Sequence, residues 1–185
     1  MNRLFSKDYA PEKTEVVTPE KGWKVDVDYD NDYDPFNDNE RVGKIEAYSR
    51  DFCRQDGGLS RDEALELSDG KDGNIVLPLY LYSHSGERIS TKPFGIKWDS
   101  GCIGIVHCTL TDAARFGIET AEEAKKAMAA EIEYIDRYLV ECAYEVTIFH
   151  DGVEVVSAGG LIGCDEVNTF IKDSGVPEDI KFRGM

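Results

Sequence analysis

Basic residues are scarce in this sequence: its 185 positions hold 21 Lys and Arg against 37 Asp and Glu, which leaves a formal net charge of −16. Proteins that bind nucleic acid directly need clustered Lys and Arg to displace counterions from the phosphates. The composition therefore argues against direct contact with nucleic acid, and it makes the excess of negative charge the main functional clue.

Long apolar runs are also missing. The longest, Ile75–Tyr82, has the length of a buried strand and falls well short of the roughly 18 apolar residues that cross a bilayer. The residues that follow Met1 lack the apolar core of a secretory signal. We therefore expect a cytoplasmic protein with no membrane partner.

Cysteine and histidine are few and show no metal-binding spacing. The chain has five Cys and three His, with no C-x-x-C pair and no zinc-type arrangement. An odd number of cysteines favours reduced thiols over a disulfide framework. From these residues we predict neither a metal site nor a cofactor.

Enough apolar residues remain for a packed core, since 41% of the chain is hydrophobic and 10% is aromatic. Apolar and polar residues alternate through residues 23–29, which is typical of a half-buried strand. Asp151-Gly152 is a strong hairpin signal. Pro78 interrupts an apolar strand and so indicates a sheet edge or a bulge. The predicted strands look like antiparallel pairs, which favours the α+β class.

Two capping boxes predict helix starts. They begin at Ser60 and Thr120, and the helix after Thr120 should run to about Val140. We predict an α+β fold, mainly antiparallel sheet, with one long helix and two or three short ones. A single domain over residues 22–185 should follow an irregular arm at residues 1–21.

The sharpest feature is an acid-rich segment, Asp26–Glu40, with no basic residue between Lys24 and Arg41. Carboxylates two positions apart on a strand lie about 6.6–6.8 Å apart. Such a row imitates the evenly spaced phosphates that a basic groove binds. The long helix adds further acids on its solvent side. The predicted partner-binding residues are Asp26, Asp28, Asp30, Asp32, Asp34, Asp38 and Glu40, then Glu122, Glu123, Glu131, Glu133 and Asp136.

Two other interpretations of this segment stay open. Many acids at a surface often form only a solvated face. A cation site is the second alternative, although a calcium loop of the EF-hand type needs Gly at its sixth position and Glu at its twelfth. Frames that start at Asp26 or Asp28 place Asn31 or Tyr33 at the sixth position, so that particular loop is excluded.

Catalytic signatures are weak. His107 and Cys108 are neighbours on a predicted strand, so they point to opposite faces and cannot act as base and nucleophile. Ser100 lacks the G-x-S-x-G context of a nucleophile elbow. We expect a protein that is not an enzyme. The alternatives are a metal-dependent enzyme or metal-binding protein that uses the Trp98–Cys108 region, and an acidic phage structural or assembly protein.

Two motifs carry a resemblance. Leu81-Tyr82-Ser83-His84-Ser85-Gly86 fits L-Y-x-H-S-G, and Trp98-Asp99-Ser100-Gly101 with Gly104 fits W-D-S-G-x-x-G. With the polar lead-in to Ile45, residues 37–160 resemble a group of small acidic proteins encoded by bacteriophages and mobile elements. Cys102 stands where that group has Gln, a departure that argues against a catalytic thiol.

The resemblance implies an origin and a class of function. Small acidic phage proteins are often inhibitors of host defence, of the anti-CRISPR or antirestriction type. It therefore implies a basic host protein as the partner, a nuclease or CRISPR effector in the bacterial cytosol. This agrees with the phosphate-like interpretation of the acid-rich segment.

Overall fold

Two antiparallel sheets organise the computed structural model, which describes residues 14–18, 22–36, 40–48, 60–68, 73–84, 86–177 and 181–184. These residues form eight strands and four helices, so the predicted α+β class is confirmed. The chain divides into two compact units, which are described separately. The single domain predicted for residues 22–185 stays a prediction, because two compact units can belong to one folding domain.

Unit 1 comprises Met1–Ser6 and Asn37–Val140. Its sheet has the strand order β3-β6-β4-β5. The strands are β3 (Lys44–Ala47), β4 (Asn74–Ser83), β5 (Glu87–Ser90) and β6 (Ser100–Thr109), and the helices are α1 (Arg61–Ser68), α2 (Leu110–Ala114) and α3 (Ala121–Val140). Helix α3 buries one stripe against the sheet, formed by Ala124, Met128, Ile132 and Ile135. This is the long helix that the capping box at Thr120 predicted.

Pro78 lies in β4, between β6 and the short strand β5. β5 pairs only with Tyr80–Ser83 of β4, so among the described strands Pro78 is paired with β6 alone, and the predicted edge position is confirmed locally. The predicted bulge lies next to it, because the register between β4 and β6 shifts between Leu79 and Tyr80. A proline that cannot donate to the ladder is accommodated beside this irregularity.

Unit 2 comprises Lys7–Phe36 and Glu141–Met185. Its strands are β1 (Thr14–Thr18), β2 (Trp23–Tyr29), β7 (Ala143–His150) and β8 (Val153–Ile162), in the order β1-β2-β7-β8, and its helix is α4 (Gly163–Asp173). Val25 and Val146 are fully buried in one apolar cluster with Val167 and Ile171 of α4. The hairpin between β7 and β8 turns at Asp151 and Gly152, whose φ angles are 51° and 80°. Two positive φ angles match a type I′ turn, as predicted.

Strand β1 lies inside the segment that the sequence predicted to be irregular. Thr14–Thr18 is rich in β-branched residues, which favour strands. It pairs antiparallel with β2, with Val16 opposite Val25. Five residues are too few to establish a periodic pattern in the sequence, so only the pairing with β2 identifies this strand.

Candidate interaction surface

Strand β2 separates apolar and charged residues onto opposite faces of the unit 2 sheet. Val25 and Val27 are fully buried on the face that joins the apolar cluster. Alternation along a strand therefore places Lys24, Asp26 and Asp28 on the other face. Their cross-strand neighbours on β7 are Phe149 for Lys24, Thr147 for Asp26 and Glu145 for Asp28.

Asp26 belongs to the packing of this face. Only 8% of the residue is exposed, and Lys24 Nζ lies 3.1 Å from its Oδ2 atom. The same ammonium lies 5.4 Å from the centre of the Phe149 ring. The Oδ1 atom is buried and has no hydrogen-bond partner in the described part of the chain. Asp26 therefore offers almost no surface to a partner, in contrast to its predicted role.

Asp28 and Glu145 lie directly opposite each other on β2 and β7. Residues paired in this way have Cβ atoms about 4.5–5.5 Å apart, and like charges at this distance destabilise a sheet. Glu145 is exposed and Asp28 is half-buried. Sequence reasoning missed Glu145, although the alternation of buried Tyr144 and Val146 around it could have indicated its outward direction. The pairing of β2 with β7 thus brings two carboxylates together on one face of the sheet.

The acids after Asp28 do not continue the row. β2 ends at Tyr29, so the regular spacing predicted for the segment ends there. Asp30 accepts hydrogen bonds from the backbone N–H groups of Asp32 at 3.2 Å, Tyr33 at 2.9 Å and Gly160 at 2.9 Å. Aspartate favours such local bonds to the backbone, and this preference turns the chain away from the strand.

Some of the other acids of this segment bind the backbone, and others are exposed. Asp34 accepts a hydrogen bond from the Phe36 N–H at 3.0 Å, so it also stabilises the turn. Asp32 and Glu40 are exposed. Asp38 lies outside the described residues. Of the acids predicted in the turn, Asp32 is the exposed one that unit 2 presents. We use the name carboxylate patch for the facing pair Asp28 and Glu145 together with the exposed Asp32 of the turn that follows β2.

Three acids of α3 stabilise unit 1. Glu123 completes a capping box, accepting from the Thr120 hydroxyl at 2.8 Å and the Thr120 N–H at 3.1 Å. These hydrogen bonds, led by that of the Thr120 side chain, lower the pKa of the Glu123 carboxyl. Glu131 accepts from the N–H groups of Val42 at 2.6 Å and Gly43 at 3.0 Å. These two predicted partner-binding residues are therefore engaged within the fold.

Asp136 forms an ion pair in addition to hydrogen bonds. It forms a two-pronged ion pair with Arg88 of β5, and only 14% of its side chain is exposed. The remaining α3 acids are accessible: Glu133 is exposed, and Glu122 is exposed beside Lys125, with 3.5 Å between the charged atoms. Three of the five α3 acids predicted to bind a partner thus have carboxylates that hold helix α3 to its neighbours or cap it.

The Trp98–Cys108 region consists of a turn followed by β6. His84 Nδ1 lies 3.8 Å from Asp99 Oδ2, and both side chains are partly exposed. The thiol of Cys102 accepts a hydrogen bond from the Tyr48 hydroxyl at 3.1 Å. Burial of Tyr48, with this contact second, raises its pKa to about 12. A phenol with so high a pKa stays protonated at neutral pH, which is consistent with Tyr48 donating to the Cys102 sulfur.

Burial also shifts the pKa values of the other thiol and the other imidazole of this region. Burial raises the pKa of Cys108 and lowers that of His107, whose pKa the nearby Lys44 lowers further. The four described cysteines are free thiols, and Cys53 lies outside the described residues. No group of three or more His, Cys, Asp or Glu side chains within the described ranges is placed to hold a metal ion.

The exposure of the Trp98 side chain was not predicted from the sequence. It is 94% exposed at the turn before β6, and Ile96 beside it is 46% exposed. The sequence indicated this stretch only as part of the W-D-S-G-x-x-G motif and of the alternative Trp98–Cys108 region, because a motif does not reveal which side chains find a packing partner.

Comparison with known proteins identifies no relative. No protein-family model matches the chain, and neither curated proteins nor solved structures give a significant match. Among the helices of the described residues, none combines the length and apolar character needed to span a membrane.

Proposed function

We propose that this protein is a non-enzymatic inhibitor of a host nucleic-acid-targeting defence system, of the anti-CRISPR or antirestriction type. It binds a basic nucleic-acid-binding surface of a nuclease or CRISPR effector and occupies it in place of the phosphates. The carboxylate patch is the principal contact. The protein acts in the bacterial cytosol.

One observation carries the proposal: the register of β2 and β7 sets Asp28 opposite Glu145 in a chain of net charge −16. Like charges directly opposite each other on neighbouring strands cost stability. A partner with a positive groove relieves the repulsion on binding and associates quickly through electrostatic attraction. The resemblance of residues 37–160 to small acidic phage proteins supports the same class of function.

Within this proposal, burial and hydrogen bonding favour some of the acids as contacts over others. Asp26, Asp30, Asp34, Glu123, Glu131 and Asp136 are engaged in hydrogen bonds or ion pairs within their own units. The carboxylates of Asp32, Glu40, Glu122, Glu133 and Glu145 are exposed and can contact a basic surface. Glu122 and Glu133 of unit 1 are the secondary contacts in this proposal.

A cleavage assay tests the function. Purified restriction endonucleases and CRISPR effector nucleases cleave a DNA substrate with and without this protein, at low and at high salt. We expect inhibition of at least one nuclease, and we expect it to weaken steeply with salt because exposed charges are screened. Inhibition that does not change with salt would indicate an apolar interface, and no inhibition across both nuclease classes would contradict the proposal.

A further inference from the structure

The loop of residues 91–99, between β5 and β6, differs in character from the rest of this acidic chain; we call it the Trp98 loop. It carries Trp98 at 94% exposure and Ile96 at 46%. Monomeric proteins seldom expose such side chains together, and buried tryptophans are among the commonest hot spots of protein interfaces. The loop therefore has the composition of a binding anchor.

The charge of the Trp98 loop is opposite to that of the whole protein. Lys92 and Lys97 are exposed, and neither forms an ion pair with any described residue. The loop's carboxylate, Asp99, lies 3.8 Å from His84. The loop thus combines two exposed lysines, without an ion pair to the described residues, and an exposed indole in a chain whose net charge is −16.

Contacts at its base hold the Trp98 loop in place. The Ser83 N–H donates to the Asp99 carbonyl at 2.9 Å, and the Lys92 N–H donates to the Ser90 hydroxyl at 3.0 Å. The Phe94 ring lies against Tyr82, with 5.8 Å between the ring centres. A loop ordered before binding loses less conformational entropy when it docks. Trp98 is therefore presented by a preorganised segment.

On the basis of the proposed function, we infer that the Trp98 loop enters the carboxylate-lined metal site of a divalent-metal-dependent nuclease. Such sites hold their cations with carboxylates, and nucleic-acid channels add aromatic side chains on which bases stack. Lys92 and Lys97 take the place of the cations, and Trp98 takes the place of a base. The carboxylate patch binds a basic surface, whereas the Trp98 loop binds an acidic one. The two surfaces therefore require regions of opposite charge on one partner.

The test uses the nuclease that the cleavage assay finds to be inhibited. We expect Trp98→Ala, and separately the double variant Lys92→Glu with Lys97→Glu, to raise the inhibitory concentration at least about tenfold, as loss of a hot spot does. Leu65→Ala, at another exposed apolar residue of unit 1, is the control for Trp98. Lys172→Glu with Lys181→Glu makes the same charge change at two exposed lysines outside the loop. Both controls should inhibit like the wild type.

Competition with metal identifies the site on the partner. At constant ionic strength, raising the Mg²⁺ concentration should raise the inhibitory concentration of the wild-type protein, because cation and loop exclude each other. It should have no effect on the Lys92→Glu, Lys97→Glu variant. Inhibition by the wild type that is independent of Mg²⁺ would overturn the inference, even if Trp98→Ala inhibited the nuclease less than the wild type. Unchanged inhibition by Trp98→Ala would overturn it as well.

These outcomes are separate from those for the proposed function. Loss of inhibition on reversal of the carboxylate patch, with the Trp98 loop variants active, supports the function and overturns this inference.

Sedimentation of the free protein provides a further check. If Trp98→Ala converts a self-associated protein to a monomer, the loop is a contact between copies and the inference is wrong. A panel without any inhibited nuclease overturns both proposals together.

Discussion

Asp136 accepts hydrogen bonds from Arg88 Nε at 2.8 Å and Arg88 Nη2 at 2.6 Å, and a third from the Ile89 N–H at 2.9 Å. The pair joins the long helix α3 to strand β5 within unit 1. The carboxylate raises the pKa of the Arg88 guanidinium, chiefly through the side-chain hydrogen bonds. An acid predicted to bind a partner thus holds two elements of the fold together.

Removing this carboxylate should destabilise the protein. We expect Asp136→Ala to lower the free energy of unfolding by about 2 kcal/mol, because hydrogen bonds to charged groups contribute roughly 1.5–3 kcal/mol. Glu133→Ala on the exposed side of the same helix is the control and should stay within about 0.5 kcal/mol of the wild type. Urea denaturation measures both. Equal stability of the two variants would show that the ion pair contributes nothing.

Gly43 makes a close approach that a side chain would obstruct. A Cβ atom there would lie 2.6 Å from Val106 Cγ1 and 2.9 Å from Met128 Cγ. We expect Gly43→Ala to destabilise the protein by roughly 1–3 kcal/mol, as overpacking of a core does. At Gly101 a Cβ atom meets nothing within 4 Å, so Gly101→Ala is the matched control. Thermal melting should separate them, and a Gly43→Ala variant as stable as the control would contradict the packing described.

The capping box at the start of α3 predicts a pH effect. Hydrogen bonds from Thr120 lower the pKa of Glu123 in the folded state, so their contribution to stability is present above the unfolded carboxyl pKa. It is lost as the pH falls through the lowered folded value. Thr120→Ala should return the Glu123 pKa toward its ordinary value in an NMR titration. The pKa of Asp112, which a separate box at Thr109 lowers, should not move.

The two tryptophans should differ in solvent access. Trp98 is 94% exposed, whereas the half-buried Trp23 ring lies 4.5 Å from the His150 ring, centre to centre. We expect iodide to quench the fluorescence of Trp98 efficiently and that of Trp23 weakly. Trp98→Phe should therefore remove most of the quenchable signal while changing stability by less than about 0.5 kcal/mol. Quenching that survives in Trp98→Phe would contradict the exposed position of this side chain.

Local patterns predicted most of the elements. The alternation at Trp23–Tyr29, the Asp151-Gly152 turn and the capping box at Thr120 each depend on residues close in sequence, and each appears in the structure. β1 was missed because five residues give no period. The strand order could not be predicted either, because it depends on pairing between residues far apart in sequence.

The roles of the acids could not be predicted in the same way. Glu131 binds the backbone at Val42, 89 positions away, and Asp136 binds Arg88, 48 positions away. Such contacts exist only once the elements have packed. Glu145 became part of the carboxylate patch for a similar reason, since its position opposite Asp28 depends on the register of two strands far apart in sequence.

The most direct test of the proposed function is charge reversal at the carboxylate patch. The variant Asp28→Lys, Asp32→Lys, Glu145→Lys leaves the engaged acids intact. The control Glu66→Lys, Glu119→Lys, Asp173→Lys reverses three exposed acids elsewhere. Because three reversals add six charges to −16, both variants carry −10. Matching circular dichroism spectra and melting temperatures establish that both remain folded.

The quantity to measure is the concentration of each variant that halves DNA cleavage by the inhibited nuclease. We predict that reversal of the carboxylate patch raises this concentration at least about tenfold, a change of about 1.4 kcal/mol in binding free energy. The control should match the wild type. A patch variant that inhibits as well as the control would contradict the phosphate-like role of Asp28, Asp32 and Glu145.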